Sequence, residues 1–143
     1  MIRTAVRTLV RRSFSSIERG DVDKAMAPFA EDFRFTFPGR HSFAAQGVGK
    51  REFKAWLTRL AHLQPKFRVS DVFVKGPPWN QRIAFRLSDE IRAPDGFVYR
   101  NELVEYAHAR WGRIRSLEVF LDTQAVAELD AHLTSAGEAP PAA

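Results

Sequence analysis

Residues 79–121 spell WNQRIAFRLSDEIR-APDGF-VYRNELVEYAHAR-WG-RIRSLEVFL, three alternating runs joined by two turns. In Ala93-Pro94-Asp95-Gly96-Phe97, Pro presets the first turn position, Asp tolerates the next, and Gly takes the left-handed site of a three-residue loop. The register that follows sets Asp89 opposite Asn101, Leu87 opposite Leu103, and Phe85 opposite Glu105. Side chains alternate with period two, so all six share one face. The second turn, Arg110-Trp111-Gly112, puts Leu117, Val119 and Leu121 on that face as well. An apolar sheet face interrupted by Asp89, Asn101 and Glu105 reads as a ligand pocket or as an expensive defect. Each unpaired buried polar group costs about 1–3 kcal/mol.

The rest of the composition limits what such a pocket can belong to. A chain of 143 residues supports one domain with a sizeable core and is too short for two. At 45% hydrophobic and 12% aromatic it is built to fold rather than to stay disordered. Cys is absent, which removes disulfides and thiolate metal sites, and the four His are too scattered for a metal site by spacing alone. No stretch approaches the length of a membrane span, so neither a membrane nor a metal or other cofactor is expected. The net charge of +5 raises the question of nucleic acid. The basic residues are dispersed among acids, however, and no reading motif accompanies them, so nucleic acid is not an expected partner. Glu90 faces Arg100 on the outward side of the hairpin, beside Arg82, Arg86, Glu102 and Glu118, which is a salt-bridged exterior.

The one basic cluster is Arg3, Arg7, Arg11 and Arg12. An Arg-rich, acid-free start resembles a mitochondrial presequence, but Ile2, Val6, Leu9, Val10, Phe14 and Ile17 recur at helical spacing and lead straight into the next helix. A packed first helix accounts for the pattern better. The arginines also interrupt any secretory apolar region, so the expected location is the cytoplasm. Gly20 ends that helix and Asp21 caps a second one. Phe33-Arg34-Phe35-Thr36-Phe37 is a strand, Arg40 to Gly49 a loop, and Lys50 to Leu63 a helix with Phe53, Trp56, Leu57 and Leu60 as its apolar stripe. Phe67 to Lys75 forms the strand before the hairpins. Asp122 or Thr123 then caps a short last helix buried through Val126, Leu129 and Leu133. The expectation is a single α+β domain over 1–134, a curved antiparallel sheet packed against three helices with a short C-terminal helix, and a mobile tail over 135–143.

That order of elements resembles the nuclear transport factor 2-like superfamily, and within it the SnoaL-like group of small bacterial proteins. The resemblance rests on Arg19-Gly20-Asp21, Phe29-Ala30-Glu31-Asp32, Phe37-Pro38-Gly39, Gly47-Val48-Gly49-Lys50 and Tyr99-Arg100-Asn101. It closes with Gly112-Arg113-Ile114 and Val119-Phe120-Leu121-Asp122-Thr123. It implies a cone whose sheet and helices enclose an apolar pocket, and a homodimer through the outer sheet face. It also separates the chain from two chemistries of the superfamily. The first-strand Asp of ketosteroid isomerases falls on Phe37. Of the limonene epoxide hydrolase set, one Asp falls on Asp89, but the Arg falls on Leu87 and the second Asp on Val119. SnoaL-type cyclases need an acid–base carboxylate in the pocket, a requirement that Asp89 or Glu105 meets.

The candidate catalytic residues are therefore Asp89 and Glu105. Asn101, Phe35, Phe37, His41, Trp56, Leu87, Leu103 and Val119 are candidates for holding a small hydrophobic substrate. A carboxyl in an apolar lining has its pKa raised, which suits a general base. Blander readings stand beside these: Asp89 and Asn101 as a cross-strand hydrogen bond, Glu105 at the mouth or neutralised by Arg115, and His41 merely exposed. Val104, Tyr106 and Phe120 face outward and suit a homodimer. Three functions stay open: an isomerase, cyclase or hydrolase acting by proton transfer, a non-catalytic module holding an apolar ligand, and an interaction domain whose cavity is filled by its own side chains.

Overall fold

Asp21 follows the break at Gly20 and accepts a hydrogen bond from the Lys24 amide at 3.1 Å, which starts the second helix within a few residues of the first one's end. The computed structural model describes residues 2–137. In chain order these form α1 (Ile2–Glu18), α2 (Val22–Met26), β1 (Phe29–Phe37), β2 (Ala45–Val48), α3 (Lys50–His62), β3 (Lys66–Lys75), β4 (Gln81–Arg92), β5 (Val98–Arg110), β6 (Arg113–Leu121) and α4 (Thr123–Ser135). The tail expected over 135–143 falls chiefly on 138–143, outside the described residues, and Ser135 itself still belongs to α4.

The six strands make one curved sheet in the order β2-β1-β6-β5-β4-β3. The hairpin register is the one read from the turn, with Asp89 opposite Asn101, Leu87 opposite Leu103 and Phe85 opposite Glu105. Gly96 adopts φ +90°, and the Ala93 amide donates to Phe97 O at 2.8 Å, which closes the loop. At the second turn Trp111 and Gly112 both have positive φ, the two-residue geometry whose twist matches that of the flanking strands. That turn sets Leu103 opposite Leu121 and Glu105 opposite Val119.

Three details depart from the sequence reading. β1 begins at Phe29 rather than Phe33, because Phe29 already pairs with Ile114 on β6. Ala45–Val48, read as loop, is a short edge strand against Phe35 and Phe37; one edge partner and an internal Gly47 leave little alternation to read. The sheet is also not antiparallel throughout, since β1 runs parallel to β6. Those two strands are distant in sequence, so no hairpin dictates their direction.

The helices cover the inner face. α1 packs on β3 and α2, α3 on β1, and α4 on β5. Phe33, Phe35, Phe53, Leu57, Leu87, Leu129 and Leu133 are all at most 3% exposed, so the core lies between these helices and the sheet. Among the described residues no helix is long and apolar enough to cross a membrane.

Candidate functional site

Beneath the helices the inner sheet face does not close completely. A cavity of about 170 Å³ remains between the sheet, α1, α3 and α4. Phe35, Phe37, Trp56, Leu87, Leu103 and Val119 all line it, together with Asp89 and Glu105. The lining reaches the surface at Leu9, which is 55% exposed, and at Gly112 in the second turn. Trp56 is fixed there because its indole N–H donates to Phe43 O at 2.8 Å, while its ring lies 4.8 Å from Phe35 and 5.2 Å from Phe37.

Asp89 carries the main polar feature of this wall. Its Oδ1 is buried without a hydrogen-bond partner, and burial pushes the carboxyl up to about 7. A hydrogen bond from the Tyr99 hydroxyl opposes that rise but does not cancel it. The Tyr99 phenol is itself raised, first by burial and then by the charge of Asp89. Glu105 is 6% exposed; burial and the neighbouring Asp89 charge push it up to about 8. The two carboxyls come from adjacent strands, four residue pairs apart in register, which separates their backbones by about 13 Å along the sheet. Desolvation disfavours the charged form of each, so both sit near neutrality in their proton affinity.

Asn101 stands opposite Asp89 but makes no direct bond to it. Its Nδ2 donates to the Tyr99 hydroxyl at 3.0 Å and to Asp122 O at 2.9 Å, and its Oδ1 accepts from the Asp122 amide at 3.4 Å. The expected cross-strand hydrogen bond is replaced by a chain from Asn101 through Tyr99 to Asp89. Asn101 does not line the cavity; its amide is consumed in tying β5 to the start of α4.

His41 is likewise displaced from the role expected of it. Its Nε2 donates to Pro38 O at 2.9 Å and its Nδ1 accepts from the Phe43 amide at 3.2 Å, so both ring nitrogens serve the loop. Burial lowers its pKa, and the ring does not line the cavity. The same loop is held to α4 through the Ser42 amide, which donates to Asp130 Oδ2 at 2.9 Å. Arg115 does not neutralise Glu105, because it pairs with Asp32 at 2.8 Å on the outer side.

The residue that sequence reading overlooked is Tyr99. Its place was legible, since it shares the inward phase of Asn101, Leu103 and Glu105. Gln81, buried and on the inward phase of β4, lines the other end of the cavity and was overlooked in the same way.

The family described as SnoaL-like domain matches the chain over residues 10–117. The chain belongs to that family. Among solved structures, the SnoaL-like chain is similar to PrhC from Penicillium brasilianum, with TM-score 0.77 and 21% identity over 95% of this chain and 92% of that one. An NTF2-like protein of unknown function from Burkholderia pseudomallei gives TM-score 0.73 and 19% identity over 87% and 95%. The BvnE pinacolase from Penicillium brevicompactum gives 0.71 and 13% over 92% and 95%. At such identities the likeness establishes the fold alone. No curated protein sequence matches the chain significantly.

Proposed function

We propose that this SnoaL-like domain binds a small hydrophobic molecule in its cavity and moves a proton on it through Asp89, as an isomerase, cyclase or hydrolase would. The observation that carries this reading is a cavity-lining carboxyl with an unpartnered oxygen and a proton affinity near neutrality. A group poised at about 7 is part ionised at neutral pH, so it can take a proton and return it within one turnover. The Tyr99 hydroxyl donates to the ionised form and fixes which oxygen stays free to meet the substrate. Glu105, on the same wall, is the second group that meets the ligand's polar end. Fold relatives that include a pinacolase are in keeping with chemistry of this kind.

A second reading, a non-catalytic holder of an apolar ligand, is supported by the same lining, in which aromatic and aliphatic side chains far outnumber polar ones. A cavity of about 170 Å³ favours both over a domain packed solid with its own side chains. The two remaining readings separate on 2-tetralone, a neutral cyclic ketone with exchangeable α-protons. In deuterated buffer, NMR should find its exchange accelerated by the wild-type protein and not by Asp89→Asn. No acceleration by the wild-type protein, with binding retained, would leave the holder alone standing, and equal acceleration by both proteins would remove Asp89 as the base.

The outer face supports a homodimer, the partner we assign. Phe73 on β3 and Tyr106 on β5 both pair with Ala84 of β4, and Val104 pairs with Phe120 of β6. This gives an apolar strip across four strands, with Phe73 66% and Phe120 55% exposed. We also assign the chain to the cytoplasm.

A further inference from the structure

The wall of the cavity is acidic in a chain that is basic overall. Against a formal charge of +5, the titratable groups lining the cavity are Asp89 on β4 and Tyr99 and Glu105 on β5, and among the described residues no Lys, Arg or His lines it. The elements packed over them contribute apolar side chains to the lining, apart from Ser13 on α1. Glu105 is 94% removed from solvent, and neither a hydrogen bond nor a counter-charge reaches its carboxyl from any described residue. Asp89, another residue of the lining, has its Oδ1 buried and unpartnered among the described residues. A desolvated carboxyl without a donor is unfavourable by itself, and a donor brought by a ligand removes that penalty.

Three kinds of polar ligand group meet this wall differently. A carboxylate or phosphate finds no cation and is repelled by either acid in its ionised form. An alcohol or ketone exchanges one neutral hydrogen bond with a protonated carboxyl. An ammonium supplies both N–H donors and the missing positive charge, and charge-assisted hydrogen bonds are the stronger kind. The lining also holds aromatic rings, Phe35 on β1 and Trp56 on α3 among them, and an aromatic face attracts a cation that comes within about 6 Å. The size of the cavity sets the hydrocarbon part: a dry apolar cavity of about 150 Å³ takes a benzene ring. The mouth at Leu9 and Gly112 leaves room for a second ring to project.

We propose that the cavity selects a hydrophobic amine of one or two rings, bound as its ammonium with the nitrogen at Glu105. This rests on reading the cavity as a ligand site and names the class of ligand it takes. The proton balance is simple. Glu105 is pushed up to about 8, so near pH 7 it is mostly protonated in the empty protein. When the ammonium arrives, Glu105 ionises to form the ion pair and its proton passes to the buffer; the ligand keeps its own.

The test is titration calorimetry of the full chain near pH 7, in two buffers of different ionisation enthalpy. The probes are 2-naphthylmethylamine, 2-naphthylmethanol and 2-naphthoate. The amine should bind about tenfold or more tighter than the alcohol, a factor that corresponds to about 1.4 kcal/mol. The naphthoate should bind weakest, and amine binding alone should release close to one proton. Glu105→Gln should still bind the alcohol, which shows that it is folded, but lose both the amine preference and the proton release. Glu102→Gln, which removes an exposed acid from the outer face of the same strand, should keep both. An alcohol that binds as tightly as the amine overturns the inference and spares the ligand site. So does an amine preference that survives Glu105→Gln or disappears in Glu102→Gln. Failure of all three probes to bind the wild-type protein overturns the ligand site itself, and the inference with it.

Discussion

Asp89 and Glu105 cost the folded protein stability in a pH-dependent way whose sign follows from their environment. Each binds a proton more tightly folded than unfolded, with values of about 7 against 3.8 and about 8 against 4.5. Their contribution to stability is therefore full below about pH 4 and is lost as the pH rises through 7 and then 8. At about 1.4 kcal/mol per pKa unit, the two together lose at most about 9 kcal/mol across that whole range. Urea unfolding should find the wild type less stable at pH 8.5 than at pH 5.5, with the difference reduced in Asp89→Asn and again in Glu105→Gln. An unchanged difference in both variants would mean that neither carboxyl is desolvated. Tyr99→Phe removes the donor that holds Asp89 down, so the Asp89 titration should move upward. It also leaves Asn101 Nδ2 with one partner fewer, at a cost of about 1 kcal/mol. An Asp89 midpoint that stays put in a carboxyl NMR titration of this variant would remove Tyr99 from the site.

The junction of β6 and α4 ties this chemistry to the fold. Asp122 accepts from the Gln124 and Ala125 amides at 3.0 and 3.2 Å, and so caps α4, while Asn101 binds the main chain of the same residue on both sides. Asp122→Ala should destabilise the protein by about 1 kcal/mol, the usual worth of such a cap. Hydrogen exchange should quicken first at the N-terminal turn of α4; uniform quickening across the sheet would show that the cap is not a local device. The elements that carry the site were legible for a physical reason. Pro94, Asp95 and Gly96 specify one loop, and a one-residue slip of that register would turn Leu87 and Leu103 outward. β2 was illegible because an edge strand pairs on one side only, and its four residues show no alternation that a loop would lack. The hydrogen-bond routing of Asn101 was hidden too. A cross-strand position tells which residue stands opposite, not which of several neighbours its amide will choose.

The whole molecule is a basic shell around an apolar interior that keeps two acids. Its outer strip predicts a dimer: sedimentation should give two copies, and Phe120→Glu, which sets a charge at the β6 end of the strip, should shift the protein toward monomer without unfolding it. A wild type that sediments as one copy would contradict the interface. The class of fold followed from turns and periodicity spread along most of the chain, which is why it could be read. The chemistry depends on which inward polar groups remain unpartnered after packing. That property belongs to the assembled molecule: of the polar candidates, Asn101 and His41 found partners, whereas Glu105 and one oxygen of Asp89 found none among the described residues. The most direct test is a carbon-detected NMR titration of the side-chain carboxyls in the ligand-free protein. Midpoints near 7 for Asp89 and near 8 for Glu105 are expected. Two midpoints at ordinary carboxylate values, near 4, would contradict a dry acidic cavity and the proton transfer built on it.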